Sequence, residues 1–357
     1  MAIHFDRSRL ETVIDAHERW WRGELDRPLV KGVVGDVYPR SHIAQAPAPN
    51  QSNCHDFSWT AEQIIDAVDS QLSTQEYIGD GYPCMGMDYF GPGILAAFCG
   101  ARLDNSSGRV WFFPPEEDPE LSQVHVKYDP DNIWSRRIKD IYRAGLKRWN
   151  GSVIMSFPDL GGVMDVVASV VGTENLLYAL VDEPEEVERL VKQTQQSWYD
   201  AYNDFAEVLK PQGAYTDWNG LLSRDPAYVI QCDFCYMMGP EMFRQFVLPT
   251  LQEDTRRLTN TIYHLDGIGE LPHLDQILSI PELNAVQWVY GAGQPGPSAW
   301  LDVYQKILDA GKQIMIIDNA LDNGYEALRP HFGKSPFICV WSDPENRDRA
   351  MKIVEMK

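Results

Sequence analysis

His264 and Asp266 stand two positions apart in the run TIYHLDG at 261–267. Alternate side chains of a strand leave the same face, so this spacing lets an imidazole and a carboxylate converge on one point. Cys339, in the run FICVWSD at 337–343, can complete a histidine, carboxylate and thiolate set. Such donors suit a zinc ion with an open fourth position. A histidine beside an aspartate is also the pattern of a plain hydrogen-bonded pair, and the spacing admits both readings. Cys232 and Cys235 form a C-x-x-C without a second such pair, and on an extended strand their side chains face opposite ways. Their plain reading is two buried thiols.

Other polar residues fall where strands are expected to end: Asp217-Trp218-Asn219, Asp233, Gln287-Trp288 and Asp318-Asn319, with Asp36, Asp80 and Asp159 as further carboxylates. A carboxyl group whose pKa is raised by burial can serve as a general acid or base. Spacing does not select which one. Tyr215, Trp218, Trp288, Tyr290 and Trp341 lie at or just beyond the same ends. Their faces can stack on an aromatic substrate or hold a quaternary ammonium, although tryptophans also pack cores.

These residues must be held by regular elements. From about residue 150 onward, short β-branched or aromatic runs at 153–158, 214–220, 228–235, 261–267, 285–293, 313–320 and 337–343 alternate with helical segments. The interval suits successive β–α units. Segment 173–210 reads as a short helix followed by a restart at Pro184, and 239–258 as an amphipathic helix kinked at Pro249. With earlier strands at 29–36 and 77–83, the count reaches eight or nine. The expected fold is α/β, a (β/α)8 TIM barrel formed by 61–357, with residues 1–60 as an N-terminal extension packed on it. The site is then expected at the carboxyl ends of the strands. A doubly wound open sheet is the alternative, but no G-x-G-x-x-G follows a strand to mark a dinucleotide site.

The chain has 357 residues, 44% of them hydrophobic, and a net charge of −21. Length and composition predict a cored globular protein. The charge disfavours nucleic acid and anionic membrane as partners, and argues mildly against a highly anionic substrate unless local cations offset it. Charges run through the N-terminus and no 18-residue apolar stretch occurs, so a cytoplasmic protein is expected. Six cysteines are too sparse for a disulfide framework.

The segments DLGGVMDVVASVVGTENLLYALVDEPEEVERLVKQ (159–193), CDFCYMMGPEMFRQFVLP (232–249) and IYHLDGIG (262–269) resemble the superfamily of uroporphyrinogen decarboxylase and the cobalamin-linked methyltransferases. The resemblance covers roughly residues 75 to 355. In the zinc-dependent methyltransferases of that superfamily, and in the similar cobalamin-independent methionine synthases, the histidine strand reads His-x-Cys and a second cysteine lies on the last barrel strand. His264 holds the histidine place, Asp266 the first cysteine place and Cys339 the second, while Gln287 sits near an additional glutamate ligand of the methionine synthases. A carboxylate in place of a thiolate leaves zinc a stronger Lewis acid, which suits an oxygen or nitrogen leaving group rather than thiol activation. The arginine-bearing N-terminal segment of uroporphyrinogen decarboxylases is replaced here by PLVKGVVGDVYPR (28–40).

The resemblance thus implies a zinc-dependent methyltransferase that moves a methyl group from a small methoxy or methylamine donor to cobalamin carried by a corrinoid protein. Zinc would be held by His264, Asp266 and Cys339, with Cys235 or Asp233 as a further ligand or proton donor. Asp233 and Asp217 are the candidate catalytic carboxylates, and Trp218, Gln287, Trp288, Tyr290, Trp341 and Asp80 the expected substrate-binding residues. Superfamily barrels of this kind are commonly dimers, so a homodimer is expected. The alternatives are a metal-free member, either a decarboxylase-like lyase or a quaternary-amine methyltransferase, and a non-catalytic barrel kept as a binding module.

Overall fold

The computed structural model describes residues 3–317 and 336–355. Its strands are β1 (Leu29–Val34), β2 (Glu76–Gly79), β3 (Cys84–Met85), β4 (Arg102–Asp104), β5 (Trp111–Phe113), β6 (Ile154–Met155), β7 (Ala227–Gln231), β8 (Asn260–Asp266), β9 (Ala285–Val289), β10 (Gln313–Ile317) and β11 (Phe337–Ser342). Seven of them form one sheet in the order β2-β1-β11-β10-β9-β8-β7. Every neighbouring pair is parallel except β1 with β2.

The expected barrel is therefore met in part: the fold is mixed α/β with a mostly parallel sheet, and the strand ladder does not close among the described residues. The run at 77–83, read as a barrel strand, instead gives the antiparallel edge strand β2. Next to it in sequence, β3 pairs in parallel with β6 as a separate two-stranded sheet. Expected strand 214–220 is reduced to an isolated bridge between Tyr215 and Ser223. The segment before residue 61 is not simply laid against the sheet, because β1 is hydrogen-bonded between β2 and β11.

A buried floor closes one end of the sheet's inner face. Leu29, Ile262, Ala285, Met315 and Phe337 pack there with Trp20 and Trp21 from the helix Ser8–Trp21. Trp21 also donates its indole N–H to the Leu222 carbonyl at 2.9 Å. The floor sets the register for what lies above it, since Leu29 pairs with Phe337 and Ile262 with Ala285. Two residues further along these strands come Lys31, Cys339, His264 and Gln287, and two further again Val33, Trp341 and Asp266. Sequence parity alone thus raises a polar tier on an apolar base.

Helices Thr173–Asp182 and Pro184–Leu209 follow the expected break, with Pro184 at the first position of the second. In 239–258 the disturbance precedes its proline: Phe243–Val247 is a π-helical turn and Leu248–Arg257 is α-helical. Pro249 has no N–H to give and its ring crowds the carbonyl four residues back, so the preceding turn widens. No single described helix is long and apolar enough to cross a membrane.

Candidate active site

A cavity of about 1050 Å³ opens above the polar tier, and its walls include Lys31, Tyr82, Asp159, Asp217, Trp218, Gln231, Asp233, His264, Asp266 and Trp341. Within it, one ligand atom each of Asp233, His264 and Asp266 lie within 4.8 Å of one another. No other such trio of histidine, cysteine or acidic residues occurs among the described residues.

Three elements build this trio. Strand β8 supplies His264 and Asp266 from one face, with His264 Nε2 at 3.8 Å from Asp266 Oδ2. Its neighbour β9 supplies Gln287, opposite His264 in the register, and Gln287 Oε1 forms a short hydrogen bond with His264 Nδ1. The Gln287 amide is itself fixed by donation from Nε2 to Met315 Sδ at 3.3 Å. Oε1 is then the acceptor, Nδ1 carries the proton, and Nε2 is left with a free lone pair beside the two carboxylates. Trp218 packs at right angles on the same imidazole, with ring centres 4.9 Å apart. Burial alone would lower the His264 pKa, but Asp266, Asp233 and Gln287 together raise it above its ordinary value.

Asp233 arrives from the turn after β7. Asp165, in the helix Val163–Val171, accepts the backbone N–H groups of Asp233 at 3.1 Å and Phe234 at 2.7 Å. The helix comes this close because Gly162 precedes it: a Cβ there would lie 2.2 Å from the Gln231 carbonyl oxygen. Burial, with the nearby Asp233 charge, pushes the Asp165 pKa up to about 7. Burial also raises Asp233, partly opposed by His264. Asp159 and Asp217 are each pushed up to about 7, again by burial. Asp217 spends both oxygens on backbone groups, accepting from Asn219 at 2.9 Å and Val229 at 2.8 Å.

The chain is similar in fold to a methyltransferase from Methanosarcina mazei. The match spans 96% of this chain and 97% of that one, with a TM-score of 0.59 and 11% sequence identity. No protein-family model and no curated protein matches the sequence. At that identity the likeness establishes the fold.

The structure separates the expected site residues into two groups. His264, Asp266, Asp233, Asp217, Trp218 and Trp341 line the cavity, and Gln287 lies directly behind His264. The others point elsewhere. Cys339 is outside the trio, on β11, which β10 and β9 separate from β8; its thiol donates to the Asn219 carbonyl at 3.4 Å and burial raises its pKa to about 11. Cys235 is fully buried beneath a 3-10 turn (Asp233–Met237), 3.9 Å from the Tyr263 hydroxyl. The C-x-x-C therefore lies on a turn and not on an extended strand. Trp288 takes the other face of β9 and packs against Trp300 at 5.3 Å. Asp80 is bound bidentately by Arg27 at 2.6 and 2.7 Å and also accepts from Val30 N, so it is a structural anchor. Tyr290 borders a smaller cavity of about 360 Å³ that shares Asp233 and Asp266 with the large one. Asp318 and Asn319 lie outside the described residues.

Sequence reasoning passed over Lys31, Gln231, Asp165 and Glu270. The first two sit on strands in step with residues already singled out, since Lys31 pairs with Cys339 and Gln231 with His264. That pairing was a usable signal only once the register was known. Glu270 gave none: it is buried in a turn after β8, accepts from the Tyr263 hydroxyl at 3.3 Å, and burial pushes its pKa up to about 11.

Proposed function

We propose that the chain is a methyltransferase that takes a methyl group from a small methoxy or methylamine donor and delivers it to the cobalamin of a corrinoid protein. The observation that carries this reading is the convergence of Asp233, His264 and Asp266 in the large cavity. One imidazole with an oriented free nitrogen and two carboxylates form a donor set that fits zinc, with room for a substrate atom in the remaining position. The ligand set proposed here differs from the sequence expectation, with Asp233 in the place of Cys339.

Zinc bound there would act as a Lewis acid on the leaving oxygen or nitrogen of the donor. The chain's own residues have three tasks. Gln287 keeps His264 in the tautomer that presents Nε2. Asp165 holds the Asp233 turn against β8 through two backbone hydrogen bonds. Trp218 and Trp341 would shape the donor pocket, and Asp159, which lines the same cavity and whose pKa burial pushes up to about 7, would exchange a proton with the departing group.

The barrel belongs to the same proposal. Phe157 N donates to Thr216 O at 2.8 Å, and Val229 N to Asp217 Oδ2 at 2.8 Å. These bonds link β6 through segment 214–217 to β7, as arcs of one (β/α)8 barrel would be linked. A metal-free quaternary-amine reading needs an aromatic cage. It is less well supported, because Trp288 faces the core and only Trp218 and Trp341 of the expected tryptophans reach the cavity.

The test is methyl transfer to cob(I)alamin from a panel of methoxy and methylamine compounds, with zinc-supplied wild type and His264→Ala. Turnover that requires both zinc and His264 is expected. No transfer from any donor, or equal transfer by the variant, would overturn the reading.

A further inference from the structure

Among the described residues, the cavity holds one buried cation that the proposed chemistry leaves unused. Lys31 projects from β1 into it and is 9% exposed. Among the described residues no carboxylate lies within ion-pair distance of its ammonium, and its contact is with the Tyr82 ring, 4.8 Å from Nζ to the centroid. The space for the ammonium is built. Gly220 passes beside it so closely that a Cβ there would lie 2.2 Å from Nζ, and the Tyr82 hydroxyl fixes that loop by donating to the Gly220 carbonyl at 3.0 Å. An ammonium taken from bulk water without a partner is costly, so a compensating charge or acceptor is normally found beside it. Its acidic neighbours are the Asp217 carboxyl, which feels the Lys31 charge from beyond ion-pair distance and which burial pushes up to about 7, the Tyr82 phenol, and the Cys84 and Cys339 thiols, all raised by burial.

Two further polar atoms wait in the same cavity. Gln231 is 6% exposed, lines the cavity and has an Oε1 without a hydrogen-bond donor, and the indole N–H of Trp218 has no acceptor. Unmatched buried polar atoms on a cavity wall are best explained by a ligand that pairs with them.

We infer that Lys31 binds the carboxylate of the substrate, so that the methyl donor is a carboxylic acid with a hydroxyl or amino group facing Gln231 Oε1. This rests on the reading of the cavity as a methyl-donor pocket. A monoanion is the matching charge. Asp159, Asp217, Asp233 and Asp266 line the same cavity, and a dianionic phosphate would meet these with Lys31 as the buried cation to offset it among the described residues, Arg109 lying at the exposed rim. Lys31 thereby acts as a specificity-determining residue.

The experiment is calorimetric titration of the full chain with three acids and their amides: N-methylglycine, 2-hydroxy-3-methoxypropanoate and 4-hydroxy-3-methoxybenzoate. At least one acid is expected to bind tenfold or more tightly than its amide. Lys31→Met and Lys31→Gln should each bring that ratio near one, and Lys31→Arg should keep it. Because the ratio is read within each variant, a general loss of stability does not imitate the result. Amides binding as well as acids, no acid binding at all, a ratio that survives loss of Lys31, or displacement of the acid by equimolar inorganic phosphate would each overturn the inference. The same titration on His264→Ala should retain the preference, which separates failure here from failure of the metal reading.

Discussion

Removing Arg27 should destabilise the protein more than removing its partner Asp80, and the difference follows from where each charge is left. The guanidinium grips both Asp80 oxygens at 2.6 and 2.7 Å, and Asp80 also accepts the Val30 N–H at 3.0 Å, next to Lys31. The Asp80 side chain is 7% exposed and that of Arg27 30%. Breaking a buried pair from one side costs about 3–5 kcal/mol, because the remaining charge is stranded in low dielectric. Arg27→Ala strands the buried partner and should cost the lower end of that range, about 3 kcal/mol. Asp80→Ala strands an arginine that can turn toward water, and leaves one N–H without an acceptor at about 1–3 kcal/mol. Its total should be nearer 2 kcal/mol. Urea unfolding measures both as shifts in midpoint at constant slope. Equal costs below 1 kcal/mol for both variants, or a larger cost for Asp80→Ala, would refute the reasoning. A loss of donor affinity in Asp80→Ala with unchanged stability would restore Asp80 to the substrate site.

Three other outcomes follow. Asp165→Ala should lower zinc affinity about 10- to 100-fold while His264, Asp266 and Asp233 remain in place, as loss of a group that orients a ligand does; competition with a chromogenic chelator reads it, and unchanged affinity would count against the Asp165 role. Cys339→Ala should keep its full metal content, because its thiol is engaged with the Asn219 carbonyl, and metal loss would return the cysteine to the ligand set. Asp254 is buried, accepts from Tyr199 at 2.6 Å and Gln195 at 3.1 Å, and burial pushes its pKa up to about 6. Since the folded value lies above the unfolded one, its ionisation penalty is absent below about pH 4 and complete above about pH 6, so stability falls across that window. Asp254→Asn, which keeps the accepting oxygen, should flatten the fall between pH 4 and 7 and be more stable than wild type at pH 7.5, as read from urea midpoints.

The strands that carry chemistry were legible in the sequence because they are short, β-branched and separated by helices with clear end signals. Position parity gave His264 and Asp266 a common face without any structure. Cys339 lies outside the trio for a lateral reason: parity gave the correct face of β11 and the same tier as His264, but β10 and β9 stand between β11 and β8 in the sheet. Trp288 failed by parity itself, since Gln287 occupies the inward position on β9. Asp233 joined the trio through a turn held by Asp165, and Asp80 was withdrawn by Arg27; both depend on contacts between residues more than 50 positions apart. Spacing within one run carries no trace of such contacts. Strand number alone did not show how the sheet ends: run 77–83 pairs antiparallel to β1, and run 214–220 contributes an isolated bridge to Ser223 in place of a ladder strand.

Metal binding by Asp233, His264 and Asp266 carries the proposed function. X-ray absorption at the zinc edge of the zinc-loaded wild-type chain tests it most directly, with one equivalent of metal. A shell of nitrogen and oxygen only, with one imidazole, is expected, and it should be lost in His264→Ala. A sulfur neighbour at about 2.3 Å, or zinc that stays fully bound in that variant, would contradict it.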